Sequence, residues 1–411
     1  MVKYEKFKLP NGLIVIVNED YSTPLAAMSL LYKVGSRNES EEKTGFAHLF
    51  EHLMFGGSVN IDSYDEPLQR VGGDNNAFTS NDITNYYLSL PTENLETGFW
   101  LESDRMLSLN FSQKSLDTQK SVVIEEFRQR YLNQPYGDAW LYLRPEAYKV
   151  HPYKWPTIGK DISHIENANL EDVKDFFYGY YAPNNAILSV SGDVTVAQVA
   201  ALCQKYFAPI EKRDLIVRDI LQEPVQTSER IIEVRKRVPY DALYMAFHMP
   251  GRLNKAYHCF DIISDLLSGG RSSRLYQKLV KEKQLFSDIN AYITGDLDPG
   301  LFVFSGKIMK NIPVQEAELA ILEELEHIKN GLFDDEELQK VKNKYEANVE
   351  FGNVNVLNKA LNLCYFEMIG DAGLINTDIF QYTSISRDEI SKQAKRVFKP
   401  ENCTKLYYYA E

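Results

Sequence analysis

The sequence predicts an α+β fold made of two similar tandem domains, each a largely antiparallel sheet covered by helices. Three observations carry that expectation. At 411 residues the chain exceeds what one hydrophobic core serves well. Strand-like and helix-like stretches alternate through both halves, and each half closes on a helix followed by a strand, the pattern of helices laid over one face of a sheet. The halves also repeat one another. Tyr181-Ala182-Pro183-Asn184-Asn185 leads into an alternating strand at 186–191, and Phe398-Lys399-Pro400-Glu401-Asn402 leads likewise into Leu406-Tyr407-Tyr408-Tyr409. At a similar offset Leu53-Met54-Phe55-Gly56-Gly57 corresponds to Leu266-Leu267-Ser268-Gly269-Gly270. The predicted domains are 1–215 and 231–411, with a linker at 216–230 inside a polar stretch holding Pro224 and Gln226-Thr227-Ser228-Glu229.

Taken in order, the first element is a strand at Ile14-Val15-Ile16-Val17, within the longest aliphatic run of the chain. A helix follows over 46–54, with Phe46, Leu49, Phe50, Leu53 and Met54 on one side and His48, Glu51 and His52 on the other. Gly72-Gly73 forms a turn that enters a strand holding Asn76, Ala77, Phe78 and Thr79. A long helix is predicted over 114–132, with Leu116, Val123, Phe127 and Tyr131 as its apolar stripe. Glu126 borders that stripe and can be half-buried, whereas Glu125 points to water. The proline after His151 is a turn signal, so His151 reads as a loop residue and not a further ligand. In the second half Asp261, Ser264 and Asp265 occupy the places of His48, Glu51 and His52, so that half keeps the scaffold and lacks the metal.

The chemistry lies in His48-Leu49-Phe50-Glu51-His52, which is the zinc-hydrolase motif H-E-x-x-H reversed. Helical spacing of four stacks the two imidazoles so that both can reach one tetrahedral ion. Glu51 lies beside them, placed to take a proton from water as general base. A catalytic zinc wants a third protein ligand, and the best donor lies in the helix over 114–132, which carries the doublet Glu125-Glu126.

Composition narrows the function classes. Charged residues at 25% and apolar ones at 44% describe a soluble globular protein, and no apolar run approaches a bilayer span. A net charge of −13 argues against nucleic acid and anionic membrane surfaces as partners. Cys203, Cys259, Cys364 and Cys403 show neither metal spacing nor disulfide density. With no export signal in the opening residues, they read as reduced cytoplasmic thiols.

These motifs together resemble the inverted-motif zinc metallopeptidases that include pitrilysin, insulin-degrading enzyme and the mitochondrial processing peptidase. The resemblance extends to Leu9-Pro10-Asn11-Gly12-Leu13, to Gly35 with Glu39, Glu41 and Glu42, and to Pro156-Thr157-Ile158-Gly159. It implies one zinc per chain held by His48, His52 and Glu126, with Glu51 as catalytic base. It also implies that Asn76, Ala77, Phe78 and Thr79 form an edge strand on which an unfolded peptide pairs by its backbone. Two similar halves enclosing a peptide chamber follow as the expected architecture.

Two departures from the family pattern stand out. Gln119 replaces the glutamate that assists seven residues before the metal-binding one, which removes a charge from around the ligands. Beyond the intact Gly269-Gly270-Arg271-Ser272-Ser273-Arg274-Leu275, Lys281 stands where the family has an arginine, and neither Ser287 nor Asp288 supplies its tyrosine. A lysine cannot copy a guanidinium fork, and losing an oxyanion donor costs about a hundredfold or more in rate. The expectation is therefore a zinc-dependent endopeptidase subunit completed in a heterodimer by a paralogous chain that lacks the zinc motif, with a homodimer as the other pairing. The alternative is a catalytically weak or inactive structural subunit of the same fold.

Overall fold

In the computed structural model, which describes residues 1–411, the apolar runs become two sheets of closely matching topology. The first contains β1 (Glu5–Lys8), β2 (Ile14–Glu19), β3 (Leu25–Tyr32), β4 (Asp74–Thr79), β5 (Thr84–Pro91) and β6 (Ala186–Gly192), in the order β1-β2-β6-β3-β5-β4. The second contains β7 (Arg230–Lys236), β8 (Ala242–Met249), β9 (Phe286–Ile293), β10 (Gly300–Ile308) and β11 (Cys403–Ala410), in the order β7-β11-β8-β10-β9. In each sheet one pair is parallel, β2 with β6 and β7 with β11, and every other pair is antiparallel. The repeat read in the sequence is thus a repeat of sheet topology: β6 and β11 hold equivalent places, and so do the outermost strands β4 and β9.

The chain forms two compact units, but they do not follow a single cut at 216–230. The first comprises Met1–Arg128, Trp155–Ile220 and Glu350–Thr377; the second comprises Gln129–Lys154, Leu221–Val349 and Asp378–Glu411. The passage from Ile220 to Leu221 does fall inside the irregular stretch expected to link the halves. What the predicted partition misses is that each half lends a helix to the other's sheet. Helix Ala139–Ala147 buries Ala139, Leu143 and Ala147 with Ala246, Val303 and Leu406 of the second sheet. Helix Val356–Met368 buries Leu363 and Cys364 with Ile16, Leu31 and Ile187 of the first.

These loans also correct the expectation of helices over one face only. The residues of β6 are buried throughout, which a half-solvated sheet would not allow. One face of the first sheet packs on its own helices through Leu30, Leu88, Phe50 and Phe177, and the other receives the lent helix. The predicted helix at 114–132 is also shorter, running Gln113–Phe127 and continuing only as a π-helical turn, Arg128–Leu132. The chain leaves the first unit at that point, so the apolar stripe loses the core it was packed against.

Candidate active site

The site is assembled on the short helix Phe46–Leu53. Its apolar face, Phe46, Ala47, Leu49, Phe50 and Leu53, is buried, which turns His48, Glu51 and His52 outward from the core. The helix begins at Gly45, whose φ of 88° lies in the left-handed region and which has no side chain to cap the exposed N–H groups. Glu39 supplies the missing acceptors: its Oε2 accepts from the Gly45 N–H at 2.9 Å and its Oε1 from the Ala47 N–H at 2.8 Å. Burial pushes the Glu39 carboxyl up to about 8, against these two donors, which favour its ionised form. Glu41 and Glu42, its neighbours in the acidic run, are exposed. Thr44 is held as well, its N–H donating to His164 Nδ1 at 3.1 Å.

The loop at 156–159 has a structural reason. The Ile158 carbonyl lies against Gly45 so closely that a Cβ there would sit 2.6 Å from the oxygen, while Gly159, at φ 101°, presses on Thr44 and Gly45. Together Glu39 and this loop fix where the helix starts, and hence the height of His48 three residues on.

Helix Gln113–Phe127 brings the third donor. Its N-cap Ser112 accepts from the Ser115 N–H, and Leu116, Val123 and Phe127 form its buried stripe. Glu126 is half-buried and Glu125 is exposed. Glu126 Oε2 lies 3.6 Å from His48 Nε2 and 3.4 Å from His52 Nε2. The imidazoles stand edge to face, their ring centres 4.9 Å apart. All three donor atoms fall within 4.8 Å of one another. A tetrahedral ion about 2.0–2.1 Å from each donor requires donor separations of about 3.3–3.4 Å. The two carboxylate–imidazole separations therefore match zinc to within about 0.3 Å. Gln119, half-buried on the same helix, has its amide nitrogen near Gly56, beyond the end of the His48 helix.

Strand β4 ends beside this cluster. It pairs with β5 on one side only and is the last strand of its sheet, so its outer edge is open to an extended chain. Asn76 and Phe78 face outward and Ala77 and Thr79 inward. Thr79 Oγ1 donates to Glu51 Oε2 at 2.6 Å, a contact that nothing in the local pattern of either segment announces.

The counterpart in the second unit is filled by protein groups. On helix Tyr257–Ser268, Asp261 accepts from the Tyr382 hydroxyl at 2.8 Å, and Asp265 is paired with the Lys344 ammonium at 3.1 Å. Arg274 is engaged by Glu337 and by the Leu332 carbonyl, a packing role. Lys281 is exposed, Asp288 faces Lys307 at 3.4 Å, and Ser287 donates to the Lys307 carbonyl, so no phenol or guanidinium stands at these positions. His151 is buried in the second unit, its ring engaged by Asp298 and by the Tyr153 N–H, and takes no part in the donor cluster.

The fold is two topologically matched α+β units, and one of them carries a donor set that could hold a metal ion. Comparison with known proteins is direct. Residues 14–160 match the model described as insulinase (peptidase family M16), and residues 167–345 match the model for the peptidase M16 inactive domain. The chain is 34% identical over 351 residues to the zinc protease PqqE of Helicobacter pylori, covering 84% of this chain and 79% of that protein. The crystal structure of a protease from Helicobacter pylori superposes with a TM-score of 0.93 at 31% identity, covering 99% of this chain and all of that one. The mitochondrial-processing peptidase subunit beta of Caenorhabditis elegans is 26% identical over 209 residues, half of this chain and 45% of that protein. The chain belongs to the M16 family of peptidases.

Proposed function

We propose that this chain is the metal-bearing subunit of a zinc-dependent endopeptidase that cleaves unfolded peptides. The observation that carries the reading is the donor cluster: the Glu126 carboxylate 3.6 and 3.4 Å from two imidazoles, all three donors within 4.8 Å of one another, with Glu51 next to His52 on the helix of the imidazoles. Zinc held by His48, His52 and Glu126 supplies Lewis acidity that polarises a carbonyl and acidifies water. Glu51 takes the proton of the attacking water and returns it to the leaving amine. The open edge of β4 aligns the peptide through main-chain hydrogen bonds, which makes binding tolerant of sequence.

The exposed Lys281 and the Lys307-facing Asp288 support a site completed by another chain. The proposed partner is a paralogue without the zinc motif but with an arginine and a tyrosine at these places; a homodimer is the second arrangement. No helix is long and apolar enough to cross a membrane. A cytoplasmic location belongs to the proposal, supported by four buried, unbridged cysteines.

The test is Glu51→Gln. It should retain one zinc per chain and lose peptide cleavage in the presence of the partner. Cleavage that survives removes Glu51 from the role of base. A wild-type chain that binds zinc but cleaves nothing with any partner points instead to the structural subunit.

A further inference from the structure

We propose that Thr79 is the positioning residue of the base, tying Glu51 to the strand edge on which the peptide lies. The inference rests on the peptidase reading above and changes one part of it, because Thr79 leaves the group of substrate contacts.

Strand β4 alternates strictly, so Asn75, Ala77 and Thr79 turn inward while Asp74, Asn76 and Phe78 turn outward. The Thr79 side chain therefore turns to the face that meets the His48 helix and leaves only its main chain at the outer edge. Its hydroxyl donates to Glu51 Oε2 at 2.6 Å, the length of a strong bond to an ionised acceptor. The donor is itself held firmly. Thr79 pairs across the strands with Thr84, a fully buried residue whose own hydroxyl donates to the Val34 carbonyl at 2.9 Å. A second tether runs parallel to the first: Tyr86, paired with Ala77, donates its hydroxyl to the Phe50 carbonyl at 3.3 Å. The β4–β5 hairpin thus grips two successive helix residues, the backbone of Phe50 and the side chain of Glu51.

A glutamate on a partly solvated helix face samples several rotamers, and proton transfer requires a heavy-atom approach of about 2.6–3.2 Å. A hydroxyl fixed to one carboxylate oxygen selects one orientation of the carboxylate plane. It does so from the same strand that aligns the peptide, so substrate register and base orientation share one rigid element.

The experiment compares Thr79→Val, which keeps the β-branched shape, with Thr79→Ser, which keeps the hydroxyl, in zinc-loaded full-length chain assembled with its partner subunit and given an internally quenched unstructured peptide. Thr79→Val is expected to lower kcat by about ten- to a hundredfold with KM within about twofold of wild type. Zinc content should be unchanged, and Thr79→Ser should recover most of the rate. A raised KM with unchanged kcat overturns the proposal in favour of a substrate contact, and equal loss in both variants overturns it in favour of packing. A crystal structure of Thr79→Val provides a readout independent of turnover: a displaced or multiply oriented Glu51 carboxylate supports the proposal, and an unmoved one overturns it. A wild-type chain silent towards peptides with every partner defeats the peptidase reading alone, since the crystal structure still decides the tether.

Discussion

Replacing Gly45 by alanine tests how tightly the start of the His48 helix governs the metal site. Gly45 holds φ at 88°, where an alanine is disfavoured by about 1–2 kcal/mol. The new Cβ would lie 2.6 Å from the Ile158 carbonyl oxygen and 3.1 Å from the Ile158 carbonyl carbon and Ile165 Cδ1. Backbone cannot swing aside as a flexible side-chain end can, and relieving such overpacking costs about 1–3 kcal/mol. The sum, about 2–5 kcal/mol, corresponds to a fall in Tm of roughly 5–20 °C for a unit of this size. The relief must move the helix start or the loop, and the donors tolerate only about 0.2 Å of misplacement. Zinc affinity should therefore weaken by at least about tenfold, removing about 1.4 kcal/mol of zinc-linked stability at a fixed excess of metal. Urea unfolding with and without zinc, together with competition against a chromophoric chelator, measures both quantities. A variant within about 0.5 kcal/mol of wild type, or one destabilised equally in the two conditions, refutes the claim that this contact sets the height of His48.

Two further expectations concern pH. Burial raises the Glu39 carboxyl to about 8, above its unfolded value of about 4.5, so its stabilising contribution is complete below pH 4.5 and is lost as pH rises through 8. Glu39→Gln lacks this titration, so its stability deficit relative to wild type should narrow from pH 5 to about pH 8; a constant or widening gap shows that the two N–H donors keep the group ionised. For Asp20, burial acts to raise the carboxyl, but hydrogen bonds from Lys359 and Ser22 outweigh it and hold it at about 2. That stability is present above about pH 4 and disappears as pH falls through 2. Asp20→Asn should accordingly cost up to about 2 kcal/mol at neutral pH, with the difference closing in acid, as read from denaturation midpoints across that range.

How much of the site was legible in the sequence follows from how local each feature is. His48, Glu51 and His52 lie within one and a half helical turns, so spacing alone puts them together. Glu126 could be preferred over Glu125 because the phase of Leu116, Val123 and Phe127 distinguishes a half-buried from an exposed position on one helix. Glu39 could not be told from Glu41 and Glu42. Only the side-chain-free cap at Gly45 hints that an acceptor must arrive from elsewhere, and which of the three arrives depends on the path of the chain. The exchange of helices was equally hidden: the buried stripes of Ala139–Ala147 and Val356–Met368 announce that each packs on something apolar, without naming which sheet.

Short-range spacing was enough to bring His48, Glu51 and His52 together on one helix, and self-similarity was enough to show the repeat of the two halves and the absence of that motif from the second. The tertiary structure decided that Glu126 meets the two imidazoles, that Thr79 reaches Glu51 across 28 positions of chain, and that each sheet is sealed by a helix from the other half. Periodicity specifies which face of an element is apolar or polar. Only the packing of those faces specifies what each one meets.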